Sequence, residues 1–151
     1  MMDSTDSRIL AALQNNAQLT AQELGDMLGL SASQASRRRA RLETSGFIRN
    51  YRAQLDTGKL GLQIQAFVQV RLTTHRPEKV KGFDTLLQTR SEVTSVWLLT
   101  GSADYLLRVY CENLSALNRL IHEVLLPHEA VAKVQSQIVM DQCKADAPLP
   151  V

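Results

Sequence analysis

Thr20-Ala21-Gln22-Glu23-Leu24-Gly25-Asp26-Met27-Leu28-Gly29-Leu30-Ser31-Ala32-Ser33-Gln34 decides the fold of the N-terminal part of this chain. Thr20 with Glu23, and Ser31 with Gln34, each have the spacing of a capping box. In such a box the hydroxyl and the side chain of the fourth residue satisfy backbone N–H groups that a helix start leaves without partners. Leu24, Met27 and Leu28 are the expected buried face of the helix that opens at Thr20. Gly29 ends it, as a residue able to take positive φ. A single capping box is common. Two of them about eleven residues apart, flanking a glycine turn, predict a helix-turn-helix.

The neighbouring segments extend this reading in both directions. Upstream, Asp6 to Asn15 places Ile9, Leu10 and Leu13 on one helical face. Downstream, the third helix runs to about Ser45, where Gly46 offers a C-terminal cap, and Phe47 to Ala53 reads as a short extended segment. Net charge over the whole chain is only +2, but between Ser31 and Arg52 there are six arginines and one acid, Glu43. A helix that enters the major groove shows its N-terminal side chains to base edges while later basic residues meet phosphates. Ser33, Gln34 and Arg37 are therefore the expected base contacts; Gln can pair bidentately with adenine and Arg with guanine. Arg38, Arg41, Arg49 and Arg52 are read as phosphate clamps, and the N–H groups at the helix start by Ser31 as a further phosphate site. One feature strains the pattern. The buried stripe of this helix should pass through Ala35, position 38 or 39, and Leu42, yet both middle positions are arginine. One arginine stem is expected to lie along the apolar surface.

Beyond Gly61 the pattern changes to period two. Ile64, Ala66, Val68, Val70 and Leu72 alternate with Gln65, Phe67, Gln69 and Arg71, as in a half-buried strand. A helical stretch from Pro77 with Val80, Phe83 and Leu87 follows, then strands over Val93 to Leu99 and Tyr105 to Cys111, a helical face of Leu114, Leu117, Ile121 and Val124, and a last strand through Val134, Ser136, Ile138 and Met140. The fold class is α+β, with a ferredoxin-like βαββαβ order in the C-terminal domain. Phe67, Trp97 and Leu99 fall on the sheet face away from the helices, where self-association would cover them. The expected domains are residues 1–60, residues 61–145 and a flexible tail over residues 146–151.

Composition narrows the class further. A chain of 151 residues with 44% apolar content can pack real cores. The polar N-terminus does not read as a secretory signal, and no apolar run is long enough to cross a bilayer. Two cysteines without metal-type spacing, Cys111 and Cys143, fit reduced thiols in the cytoplasm. No metal site, cofactor site or nucleophile–base pair is legible, so no catalytic residue is assigned. His75, His122 and His128 fall on a loop, a helix and a turn with no motif joining them.

The chain resembles the Lrp/AsnC family of feast/famine transcriptional regulators. The matching stretches are Asp6–Leu10, Leu24–Ser31, Arg41–Glu43, Gly46–Ile48, Tyr51–Ala53 and Thr100–Tyr105, so the resemblance covers nearly the whole chain. It implies an N-terminal winged helix-turn-helix that binds double-stranded DNA, a hinge strand, and a C-terminal sensing domain. That domain would form a homodimer, with dimers assembling into rings such as octamers. It also implies a small effector, usually an amino acid, bound by Leu98, the loop residues Gly101, Ser102, Ala103, Asp104 and Tyr105, and Ser136 and Ile138 of the last strand. Gly101 would let a backbone N–H approach a carboxylate and Asp104 would pair with an ammonium group, although Asp104 also reads simply as a turn cap. Three departures stand out: Arg39 where the family has an aliphatic residue, His128-Glu129-Ala130-Val131 in place of Leu-Pro-Gly-Val, and Ser102 in place of an acid. Certain sirohaem decarboxylases share this architecture and are the alternative; an enzyme of that kind would need histidines and arginines converging on one cleft.

Overall fold

The computed structural model describes residues 2–151 and divides into two compact units, residues 2–54 with 143–151, and residues 55–142. The division therefore falls at Gln54/Leu55, short of the expected residue 60, because Leu60 and Leu62 line a cavity of the second unit. The tail belongs to the first unit. Leu149 donates its N–H to the Gln14 side chain at 2.6 Å, and its carbonyl accepts from the same amide at 3.0 Å.

The first unit is built on α1 (Ser4–Asn15), α2 (Ala21–Leu28) and α3 (Ala32–Thr44). Both expected capping boxes form, and a third caps α1 through Asp3 and Asp6. Ile9, Leu10, Leu13, Leu24, Ala35 and Leu42 make one core. Met27 is not part of it, being 57% exposed. Gly25 is buried in its place: the face of α2 that meets the core runs from Leu24 through Leu28 to Gly25, which leaves Met27 on the outer flank. Gly29 takes φ +69° and ends α2 as expected. The expected extended segment over 47–53 is not formed: Phe47 and Ile48 turn back, donating their N–H groups to the Leu42 carbonyl at 3.0 and 3.2 Å, and residues 49–53 have no regular structure. Among the described residues the first unit therefore has no strand, and the wing and hinge strand are not formed within the chain.

The second unit carries β1 (Ile64–Leu72), α4 (Pro77–Gln88), β2 (Val93–Leu98), β3 (Tyr105–Cys111), α5 (Leu114–Arg119) and β4 (Val131–Ile138). The four strands are antiparallel in the order β2-β3-β1-β4, the arrangement that the βαββαβ reading requires. Ala66, Val68, Val70, Leu107 and Val109 face the helices and pack on Phe83, Leu87, Leu117, Leu120 and Leu125. Of the expected face, Leu117 is buried and Ile121 and Val124 pack half-buried against the core, but Leu114 does not. Residues Leu120–Leu125 wind as a π-helix, with Leu126 N–H bonded to the Ile121 carbonyl at 2.9 Å. The wider turn places both Leu120 and Leu125 in the core, while Leu114, at the start of α5, is exposed. On the other sheet face Phe67 is half-buried and Trp97 is 42% exposed, with the Arg108 guanidinium 6.0 Å from its ring centre.

Candidate nucleic-acid interface and effector loop

At the start of α3 the side chains are already engaged with one another. Ser31 Oγ accepts from the Gln34 N–H at 3.2 Å and lies 3.1 Å from Ser33 Oγ. Gln34 Oε1 accepts from the Ser31 N–H at 3.0 Å. The box thus uses one lone pair of the Gln34 amide oxygen and leaves its NH2 free to donate. A bidentate contact to adenine needs both groups aimed at the base, so it would compete with the cap for the orientation of this amide. Arg37 is exposed and has no hydrogen bond or ion pair among the described residues.

The arginines that follow do not form a uniform charged face. Arg38 Nη1 donates to Asp3 Oδ2 at 2.7 Å and Asp6 Oδ1 at 2.8 Å, and Arg41 Nη2 bonds Asp6 Oδ2. These two expected phosphate clamps are thus partly neutralised. Asp6 was missed as a site residue; the signal available was Asp3 and Asp6 three apart at a helix start. Burial pushes the Asp6 carboxyl up, but the Asp3 N–H, Arg38 and Arg41 outweigh it and hold it below the ordinary carboxylate range. Arg39 is the arginine that packs. Its guanidinium sits 4.9 Å from the Tyr51 ring centre, its Nη1 donates to the Leu19 carbonyl at 2.9 Å, and its Nε reaches Glu43 and the Tyr51 hydroxyl, each at 3.1 Å. It replaces an aliphatic contact by a stacked and hydrogen-bonded one. Arg49 and Arg52 are exposed on the irregular segment that follows α3.

In the second unit, the loop between β2 and β3 holds Gly101 at φ +116°. Asp104 anchors that loop: its Oδ2 accepts from the Leu72 N–H at 2.7 Å and its Oδ1 lies 3.1 Å from His75 Nε2. The Leu72 N–H, then His75, hold the Asp104 carboxyl below its ordinary value against the effect of burial. These are long-range bonds that tie the loop to the end of β1 and the segment after it, not a cap within the turn, and His75 is a partner the sequence did not reveal. Tyr105 is 2% exposed and donates its hydroxyl to Asp84 Oδ1 at 2.7 Å. Burial first, and the Asp84 carboxylate second, push its phenol well above the ordinary tyrosine range. Its side chain therefore faces the helices and is committed there. Ser102 and Ala103 are beside Gln69, Arg71, Lys133 and Gln135 around a concavity of about 110 Å³. Leu98 lies on edge strand β2, whereas Ser136 and Ile138 are on the opposite edge, β4. Two strands separate them, roughly 14 Å at the usual interstrand spacing, so one chain does not bring the expected effector residues together. Among the described residues no cluster of His, Cys, Asp and Glu could hold a metal ion, and no helix is long and apolar enough to cross a membrane.

Residues 2–43 match the AsnC-type helix-turn-helix domain and residues 65–149 the Lrp/AsnC ligand binding domain. The chain belongs to the Lrp/AsnC family. It is 33% identical over 143 residues to the leucine-responsive regulatory protein of Rhizobium meliloti (strain 1021), covering 95% of this chain and 92% of that protein. A transcriptional regulator from Neisseria meningitidis, solved in complex with L-methionine, superposes with a TM-score of 0.95 at 34% identity, over 99% of this chain and 97% of that one. An AsnC family regulator from Agrobacterium tumefaciens gives 0.91 at 32% identity, with the same coverage. Membership in the Lrp/AsnC family makes the chain a helix-turn-helix transcriptional regulator with a ligand-binding domain, and not an enzyme.

The acid response of the loop follows from Asp104. A carboxyl with a depressed folded value contributes stability that is fully present above the unfolded aspartate value of about 4 and is lost as pH falls through the folded value. Asp104→Asn is therefore expected to flatten the fall of Tm below about pH 4. Thermal unfolding across that range checks it, and a variant as acid-sensitive as the parent would contradict the assignment.

Proposed function

We propose that this regulator reads an operator through α3, as a homodimer or larger ring, in response to an amino-acid effector in the cytoplasm. The observation that supports it most directly is Arg37, an exposed guanidinium without a partner among the described residues, near the N-terminal end of a helix opened by the Ser31/Gln34 capping box. A second copy of the chain covers the open sheet face around Phe67 and Trp97, where Val96 to Leu99 stay exposed. The N. meningitidis complex with L-methionine is the basis for taking an amino acid as the effector class. Its carboxylate meets backbone N–H groups of Gly101 to Ala103, while Asp104 holds the loop and Tyr105 supports it from behind. Leu98 of one copy meets Ser136 and Ile138 of another, which completes the site only in the assembly.

A mobility-shift titration of the DNA flanking its own coding sequence, with and without each amino acid, tests the reading. Retarded complexes whose midpoint moves with one amino acid are expected; no complex at low salt would refute it. Ile138 is 45% exposed, so Ile138→Asp should change the isolated fold by less than about 1 kcal/mol. It is nevertheless expected to reduce both particle size in sedimentation and the thermal shift given by the effector. Unaltered size and shift would exclude the β4 edge from the site.

A further inference from the structure

Asp6 is the one charged side chain buried among the described residues, at 0% exposure. It sits on the face of α1 that also supplies Ile9, Leu10 and Leu13 to the core, where an apolar side chain would pack without the cost of burying an ion. What it does instead is collect donors from α3. Oδ1 accepts from Arg38, and Oδ2 accepts from Arg41 and from the Asp3 N–H at 3.1 Å. Asp3, half-exposed, takes a second share of Arg38 Nη1. Arg38 and Arg41, three apart and so on one helical face, bracket the same carboxylate. Arg41 keeps a side-chain exposure of 54% despite that bond. Together with Arg37 they line a shallow concavity of about 200 Å³.

We propose that Asp6, assisted by Asp3, is a positioning residue for DNA recognition. It fixes the Arg38 and Arg41 guanidinium groups on the outer face of α3 and cancels most of their charge, leaving Arg37 as the uncompensated cation. The inference rests on α3 being the DNA-contacting helix. Each guanidinium has five donors in a rigid fork, and the bonds to Asp6 use only a part of them. The remaining donors point outward with little rotational freedom, so they contact phosphates in a set geometry without acting as full point charges. Three arginines against two aspartates leave a local charge of +1. The helix should accordingly show a weaker salt dependence than its arginine count implies, which limits adhesion to DNA of any sequence.

The test is the salt dependence of binding to a fluorescent duplex of unrelated sequence, for the full-length protein and its Asp6→Asn, Asp3→Asn and Arg37→Ala variants. Neutralising one phosphate contributes a slope of about −0.9 to log K against log salt. Loss of one compensating carboxylate should steepen the slope by about one unit and tighten binding at low salt. A residue with only a structural role would weaken binding and leave the slope alone. Asn caps a helix about as well as Asp, so Asp3→Asn keeps the measurement open should Asp6→Asn fold poorly. Slopes unchanged in the aspartate variants, with Arg37→Ala still weakening binding to the promoter region, would overturn this proposal and leave the reading of α3 intact. Arg37→Ala without effect on either the unrelated duplex or the promoter region would overturn both.

Discussion

Replacing Arg37 with alanine is expected to weaken binding to the promoter region that the regulator controls by roughly tenfold to a hundredfold, about 1–3 kcal/mol, with Tm almost unchanged. The separation of effects follows from where the side chain stands. It is exposed and makes no internal hydrogen bond or ion pair among the described residues, so its removal disturbs nothing in the fold. Its neighbours cannot substitute for it. Arg38 and Arg41 are tied to Asp6, and Arg39 is turned onto Tyr51 and Leu19. A mobility-shift titration beside a thermal melt decides the matter. Equal loss of affinity for specific and unrelated DNA would make Arg37 a phosphate contact, and unchanged affinity for both would remove it from the interface.

The second large effect is expected at Gly25. A Cβ there would lie 2.6 Å from the Leu30 carbonyl oxygen and 3.3 Å from the Ser31 carbonyl carbon, both of them backbone of the turn. That same turn is closed by the Leu30 N–H bonded to the Gly25 carbonyl at 2.9 Å. Alanine would bring a helix-propensity gain of about 1 kcal/mol. The clash opposes it with backbone that cannot rotate aside, and overpacking of this kind costs up to ~3 kcal/mol or more. The clash wins, and Gly25→Ala should destabilise the first unit by about 2 kcal/mol. Gly29→Ala meets no atom within 4 Å and bears only the strain of φ +69°, about 1–2 kcal/mol. Urea unfolding of the two variants should rank Gly25→Ala as the more damaging; the reverse order would mean that the turn yields to the methyl group.

The same contrast marks how far the sequence could be read. Thr20 with Glu23 and Ser31 with Gln34 form their boxes, and Gly29 takes positive φ, because these are contacts within a few residues. The alternation from Ala66 to Leu72 likewise survives as the buried face of β1, since period two is a property of the strand itself. Met27 and Leu114 were misplaced, because burial there depends on a neighbouring chain segment, and Leu120 and Leu125 were not foreseen in the core, because apolar spacing does not encode a π-helix.

By itself, then, the sequence determined the local devices: where α2 and α3 begin, where α2 ends, which strands alternate, and which family motifs are present. The tertiary structure alone decided the fate of the charges and the closeness of the turn. Asp6 and Arg38 are thirty-two residues apart, His75 and Asp104 twenty-nine, and Gly25 meets Leu30 only because the turn folds back. Ion pairs and van der Waals contacts depend on distance in space, and nothing in linear spacing reports that distance. The arginine run therefore reads as one positive patch in the sequence. In the fold, among the described residues, it becomes one cation without a partner, two clamped ones and one packed against a ring.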